Sequence, residues 1–217
     1  MSSKRGLLFI VSGPSGVGKS TLVARVIARV PDLVYSVSYT TRPQRPTEIE
    51  GRDYHFVSRR EFERMREAGE LIEWAEVYGH LYGRSHAALE RELAAGRDVI
   101  LSIDVQGAAA FRRLPLESVS IFVLPPSFEV LAERLRARAT ELSRSLEQRL
   151  AIAREEVQHY RDFDYVIIND RLEEALALLE AIILAERHRR HRVEEEVHAV
   201  LRTFASTAEA RDRTESV

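Results

Sequence analysis

The eight residues Gly13-Pro14-Ser15-Gly16-Val17-Gly18-Lys19-Ser20 fit the pattern G-x-x-x-x-G-K-[ST], and each type has a chemical use where it stands. Glycines let successive backbone N–H groups turn inward around phosphate oxygens, and a helix that starts directly afterwards presents its positive end to the same anion. Lys19 would reach the terminal phosphates, the Ser20 hydroxyl would be a magnesium ligand, and Thr21 would help satisfy the first helical turn. A second group, Ser38, Arg42, Arg45, Tyr54, Glu73 and Tyr82, lies further along the chain. Arg42 and Arg45 stand three apart in Thr41-Arg42-Pro43-Gln44-Arg45-Pro46, an extended, proline-stiffened stretch in which guanidinium forks can grip a phosphate bidentately. Tyr54 and Tyr82 add neutral hydroxyl donors. Asp104 follows an apolar run at 99–103. At the carboxyl end of a parallel strand it can hold magnesium or its waters near phosphates; as a plain cap it would instead fix the turn leading to Gly107.

The elements that must carry these residues follow from hydrophobic periodicity. Apolar runs of strand length at 7–11, 34–39, 99–103, 119–124 and 165–168 alternate with helical patterns at 20–29, 127–138, 145–160 and 172–187. Several runs are apolar on both faces, which suits a parallel sheet buried between helices, a doubly wound α/β core. Residues 40–96 break the alternation, with short strands expected at 53–57 and 72–77 and helices at 61–68 and 87–95, so an inserted lobe is predicted. Trp74, beside Glu73, is expected in the core. A stretch at 136–145, dense in Arg and Glu with no apolar stripe, predicts a mobile excursion. The polar tail after about Ala205 is expected to be disordered.

Composition narrows the function classes. The 217 residues include 32 Lys plus Arg against 34 Asp plus Glu, a formal charge of −2. No global field then draws the chain to nucleic acid or an anionic membrane, and phosphate recognition has to be local. With no cysteine there is no disulfide, thiolate metal site or cysteine nucleophile. The apolar run at 7–11 is too short for a signal peptide core, and no stretch approaches the roughly 20 apolar residues of a membrane span, so a cytoplasmic protein is expected. The oligomeric state is not readable.

Taken together, these stretches resemble guanylate kinase over about residues 5–188. The matching residues are 12–21, Ser36-Val37-Ser38 with Thr40-Thr41-Arg42, Gly51-Arg52-Asp53-Tyr54-His55-Phe56-Val57, Ile72-Glu73-Trp74-Ala75, Tyr82-Gly83, Ile103-Asp104-Val105-Gln106-Gly107 and Val166-Ile167-Ile168-Asn169-Asp170. The resemblance implies a three-layer P-loop nucleoside monophosphate kinase fold with a central parallel sheet: a core at about 5–39, 97–133 and 150–188, a GMP-binding lobe at 40–96, a mobile lid at 134–149 and an extension at 189–217. It implies transfer from ATP to GMP, and to dGMP, with magnesium. Ser38, Arg42, Arg45, Tyr54 and Tyr82 become the clamp on the GMP phosphate and Glu73 the guanine reader. Arg134, Arg138 and Arg149 match phosphate-stabilising lid arginines, so that Lys19, Arg42, Asp104, Arg138 and Arg149 form the catalytic set. Asn169 matches a position near the adenine of ATP, although Asn at a strand end is equally a turn former.

Three places depart from the family pattern. Arg84 stands where the family has Thr or Ser and Ser102 where it has Asp or Glu, both being positions that touch guanine; Ala137-Arg138-Ala139-Thr140 replaces a glycine-flanked hinge. Arg84 could donate two hydrogen bonds to guanine O6 and N7, whereas Ser102 brings no charge. The alternatives are a kinase of another phosphorylated acceptor such as ribose 1,5-bisphosphate, and a non-catalytic module that binds phosphopeptides.

Overall fold

The computed structural model describes residues 4–77, 79–137 and 146–214, with side chains through Phe204 except Val77. Two compact units partition the chain, 1–180 and 181–217. In the first unit, five strands form a parallel sheet: β1 (Leu8–Ser12), β2 (Leu33–Tyr35), β7 (Asp98–Ser102), β8 (Ser118–Leu124) and β9 (Tyr165–Ile168), in the order β2-β7-β1-β8-β9. Every residue of β1 is buried. This placement explains its unbroken apolar run, since a central strand covered on both faces has no polar side to present. Against the sheet pack α1 (Lys19–Ile27), α3 (His86–Ala94) and α4 (Val105–Phe111), and the chain further forms α5 (Phe128–Ala137), α6 (Leu146–Glu156) and α7 (Leu172–Arg187). Leu8, Ile10, Leu89, Leu93, Val99, Leu101 and Phe111 form one core cluster beneath this sheet. Burying each such side chain contributes about 1.5–3 kcal/mol.

A second sheet of four strands, in the order β4-β3-β6-β5, is built from β3 (Tyr39–Thr40), β4 (His55–Phe56), β5 (Leu71–Val77) and β6 (His80–Ser85), with α2 (Arg59–Glu67) between its strands. The single strand expected at 34–39 is therefore two. Residues 33–35 pair with β7, and 39–40 cross to the other sheet, because Ser36 and Ser38 interrupt the apolar run and let the chain turn. Strand β6 had no signal of its own, being polar and glycine-containing, yet it forms a tight antiparallel hairpin with β5. Trp74 is not in the core. On β5 side chains alternate between faces, Glu73 takes the inner one, and Trp74 lies 47% exposed with the Arg66 guanidinium 4.9 Å from its ring.

Helix α6 ends earlier than expected, passing into a 3-10 turn at Val157–Asp162. It is anchored to α5 by a small cluster of Leu131, Leu135 and Ala153, with Leu146 and Leu150 against it. Residues 138–145 of the expected lid, Arg138 among them, lie outside the described residues. Helix α8 (Glu194–Thr214) runs through the polar stretch after Ala205, which is rich in the helix formers Ala, Glu and Arg. Among the described residues no helix is long and apolar enough to cross a membrane.

Candidate active site

The glycine-rich loop leaves β1 at Ser12 and enters α1 at Lys19 with three glycines at positive φ. All three are there for space as well as conformation, an added Cβ at Gly16 lying 2.6 Å from Leu135 Cδ2. At Gly13 an added Cβ would lie 2.2 Å from the carbonyl oxygen of Val123, and at Gly18 it would lie 2.6 Å from Asn169 Nδ2. The loop is thus pressed against the neighbouring strand end and against the residue that follows β9. Asn169 is buried, and its side-chain amide donates to the carbonyl of Val17 at 2.7 Å while its own N–H donates to Leu124 at 2.8 Å. Arg134 on α5 completes this brace by donating to the carbonyl oxygens of Asn169 at 3.0 Å and Val17 at 3.4 Å. Gly16, Val17, Gly18, Thr21, Arg134 and Asn169 line one open cavity beside the loop.

Lys19 folds back over the loop, its ammonium donating to the carbonyl oxygens of Gly13 at 2.5 Å and Pro14 at 3.0 Å. Ser20 is exposed on the first turn of α1. Asp104 caps α4, with Oδ1 accepting the Gly107 N–H at 2.7 Å, so the capping role foreseen for it is real. It remains solvent-exposed at the sheet's carboxyl edge, two residues beyond Ser102, which pairs with Val11 next to the loop. Ser20 and Asp104 offer hard oxygen ligands of the kind magnesium takes, with phosphates and waters supplying the remainder. Among the described residues there is no cluster of three or more His, Cys, Asp or Glu that could hold a metal by itself.

Sequence reading passes over one buried carboxylate. Glu156, the last residue of α6, has its Oε2 buried without a hydrogen-bond partner. Burial pushes this carboxyl above its ordinary value and Asp104 adds to the effect, against the opposing pull of Lys19 and the Ser15 N–H. Nothing in the charge-rich helix sequence distinguishes Glu156 from Glu155; only the packing of α6 selects it.

On the second sheet, the side chains of Arg42, Tyr54 and Tyr82 lie together. The Arg42 guanidinium lies 5.4 Å from the Tyr54 ring centre, and the Tyr54 and Tyr82 rings meet edge to face at 5.9 Å. Burial pushes the Tyr54 phenol above its usual value, which keeps it a neutral donor. Ser38 is buried close by in sequence, its carbonyl accepting the His55 N–H at 2.8 Å. The partner missed from sequence is Glu48. It accepts from Arg42 Nη2 at 2.6 Å and from the backbone N–H of Arg45 at 2.9 Å, while the Arg45 residue is otherwise exposed. Burial alone would raise the Glu48 carboxyl, but Arg42 and Arg45 hold it below the usual range.

Glu73 and Arg84 are cross-strand partners on β5 and β6, joined by an ion pair of 2.6 Å with side chains only 11% and 6% exposed. This buried pair follows from the hairpin register, so it was invisible while β6 was unrecognised. It sets an acceptor beside a donor, and Arg84 Nε is buried with no partner of its own. Arg149 sits half-buried on α6.

Comparison with known proteins finds relatives over most of the chain. The family model described as guanylate kinase matches residues 5–186. A guanylate kinase of Agrobacterium fabrum is 47% identical over 191 residues, 88% of this chain and 87% of that protein. One from Symbiobacterium thermophilum is 49% identical over 185 residues, 85% of this chain and 88% of that protein. Among solved structures, the guanylate kinase of Anaplasma phagocytophilum superposes with a TM-score of 0.72 at 37% identity, over 88% of this chain and 92% of that one. The chain belongs to the guanylate kinase family.

Proposed function

We infer that this enzyme transfers the γ-phosphoryl group of ATP to GMP, giving ADP and GDP, and that dGMP serves in the same site. The observation that carries the reading of the acceptor is the buried Glu73–Arg84 pair. Guanine offers N1–H and N2–H donors on one edge and O6 and N7 acceptors on another. A carboxylate with a guanidinium at its side is complementary to both, whereas adenine would bring an acceptor against Glu73. A ribose bisphosphate has no such edges, and a phosphopeptide module has no use for the complete loop at Gly13–Ser20.

In this reading Ser38, Arg42, Arg45, Tyr54 and Tyr82 hold the acceptor phosphate, and Ser102 lies near the base without a charge. The loop Gly13–Thr21 and Lys19 hold the donor's β- and γ-phosphates, with Arg134 and Asn169 bracing the loop toward the adenine end. An oxygen of the GMP phosphate attacks the γ-phosphorus in line while the bond to the β,γ-bridging oxygen breaks, so no protein nucleophile is needed. The residues therefore work by positioning two anions and neutralising the charge spread over the transferring group. Lys19, Arg42, Arg138 and Arg149 are the cations assigned to that work. Ser20 and Asp104 would hold magnesium, which when bound supplies further neutralisation of the phosphate oxygens. Coupled assays of ADP release with GMP, AMP, UMP and ribose 1,5-bisphosphate test the reading. GMP must be the best acceptor by a wide margin, and a better acceptor among the others would refute it.

A further inference from the structure

Residues 41–49, which carry Arg42 and Arg45, form neither strand nor helix. Pro43 and Pro46 have no N–H to give this loop, and two cations three residues apart repel each other. What closes it is Glu48. Its carboxylate spans the turn, Oε1 accepting from Arg42 Nη2 at 2.6 Å and Oε2 from the Arg45 N–H at 2.9 Å. The Glu48 backbone is engaged as well, its N–H donating to the Arg45 carbonyl at 3.0 Å and its carbonyl accepting from Gln44 Nε2 at 2.7 Å. Every polar group of this residue thus holds some part of residues 42–45. The seat of Arg42 is equally specific. Its guanidinium lies 5.4 Å from the Tyr54 ring centre and 5.9 Å from that of Phe56, and Nη1 donates to the Pro43 carbonyl at 2.9 Å. With Nη2 on Glu48, two of the five guanidinium N–H groups are engaged and the others remain for an anion. The Arg42 and Glu48 side chains are only 13% and 15% exposed.

We propose that Glu48 is a positioning residue of the acceptor phosphate clamp, holding Arg42 and Arg45 in the geometry that grips the GMP phosphate without touching the phosphate itself. The proposal rests on reading Arg42, Arg45, Tyr54 and Tyr82 as that clamp. Two effects of the carboxylate oppose each other. Its charge offsets one of the two arginine charges, which weakens the attraction for a phosphate. Its contacts fix one guanidinium and the backbone from which the other springs, so that binding has less left to order. Burial decides between them. Without Glu48 the Arg42 charge is uncompensated in a nearly closed seat and is drawn toward solvent. An arginine that has left the Tyr54 ring no longer faces the acceptor phosphate, and the lost geometry outweighs the gained charge.

The test compares the full chain with Glu48→Gln and Glu48→Asp by two readouts, the KM for GMP at saturating ATP and the inhibition constant of guanosine against GMP. Guanosine presents the same base and ribose without a phosphate, so it senses the base pocket and not the clamp. Gln offers one acceptor oxygen and no charge, and cannot hold Arg42 and the Arg45 N–H together. Asp keeps the charge but is one methylene short of spanning the turn. Glu48→Gln should raise the KM for GMP roughly tenfold and Glu48→Asp by less, because binding must then order the arginines afresh. The guanosine constant and the KM for ATP should stay within about twofold. An unchanged or lower KM for GMP overturns the proposal, a fall being the result expected of an anion that only weakens the clamp. A parallel rise in the guanosine constant also overturns it, since the whole lobe would then have loosened. If the unmodified chain phosphorylates another acceptor in preference to GMP, the acceptor reading fails and the proposal with it. Should Glu48→Gln fail to fold, Glu48→Asp decides by the same two constants.

Discussion

Glu73→Gln is the perturbation in which stability and specificity should fail together. Glu73 and Arg84 face each other at 2.6 Å with about a tenth or less of either side chain exposed. Two unit charges about 4 Å apart at an effective dielectric near 20 attract by about 4 kcal/mol. Removing one member of a buried pair typically costs about 3–5 kcal/mol, because the survivor is left buried and uncompensated. The amide of Gln retains an acceptor, so the lower end applies, roughly 3 kcal/mol. For a domain of this size each kcal/mol shifts the melting temperature by about 2–4 °C, so a fall of roughly 6–12 °C is expected. The double variant Glu73→Leu/Arg84→Met, which removes both charges and keeps volume, should recover most of that loss. In steady-state assays at permissive temperature, Glu73→Gln should raise the KM for GMP about 10- to 100-fold, the equivalent of one lost charged hydrogen-bonding contact, with the KM for ATP little changed. A melting temperature within about 2 °C of the unmodified chain would show that the pair is not a buried charge contact. A normal GMP KM would remove Glu73 from base recognition.

Lys19→Ala should lower turnover by about 10³-fold or more while leaving the melting temperature within about 2 °C, because the ammonium contributes to charge stabilisation and is only partly buried; thermal melts and ADP release check both halves. Gly13→Ala should lose about 3 kcal/mol or more, visible as a lower urea midpoint, since its Cβ would strike the Val123 carbonyl at a backbone angle that L side chains rarely adopt. Glu48 bears on pH. Its carboxyl is held below its ordinary value of 4.5, so its contribution to stability is complete above that value and is lost as pH falls through the depressed folded one. Melting curves from pH 6 downward should therefore be flatter for Glu48→Gln than for the unmodified chain, and parallel curves would remove Arg42–Glu48 from the acid response.

What could be read in the sequence was what is local. The β1–loop–α1 unit is specified by a contiguous apolar run, three glycines and an amphipathic helix, so its place and chemistry follow from neighbours in the chain. The Arg42, Tyr54 and Tyr82 cluster was legible only through resemblance, since residues twelve and forty positions from Arg42 meet by the pairing of β3, β4 and β6. Strand β6 and helix α4 escaped for opposite reasons. His80-Leu81-Tyr82-Gly83-Arg84-Ser85 has too few apolar residues to announce a strand, and α4 is seven residues long with Gly107 inside it. Glu48 and Glu156 escaped because a carboxylate in a charged stretch has no signature until tertiary packing chooses what it faces.

The central place of β1 has a consequence for how the enzyme comes into being. Leu8 pairs with Val99 on one side and Ser118 on the other, so the strand that launches the phosphate loop finds its neighbours about 90 and 110 residues later in the chain. Loop-closure entropy makes such parallel pairings slow to form, and a chain dominated by them folds late relative to its local helices. The loop leans on Val123 and on Asn169, which lies beyond β9, so its shape depends on some of the last strands to be synthesised. A growing chain on the ribosome therefore carries the whole Gly13–Ser20 sequence long before it can hold a nucleotide, and the recovery of nucleotide binding during refolding reports closure of the entire sheet.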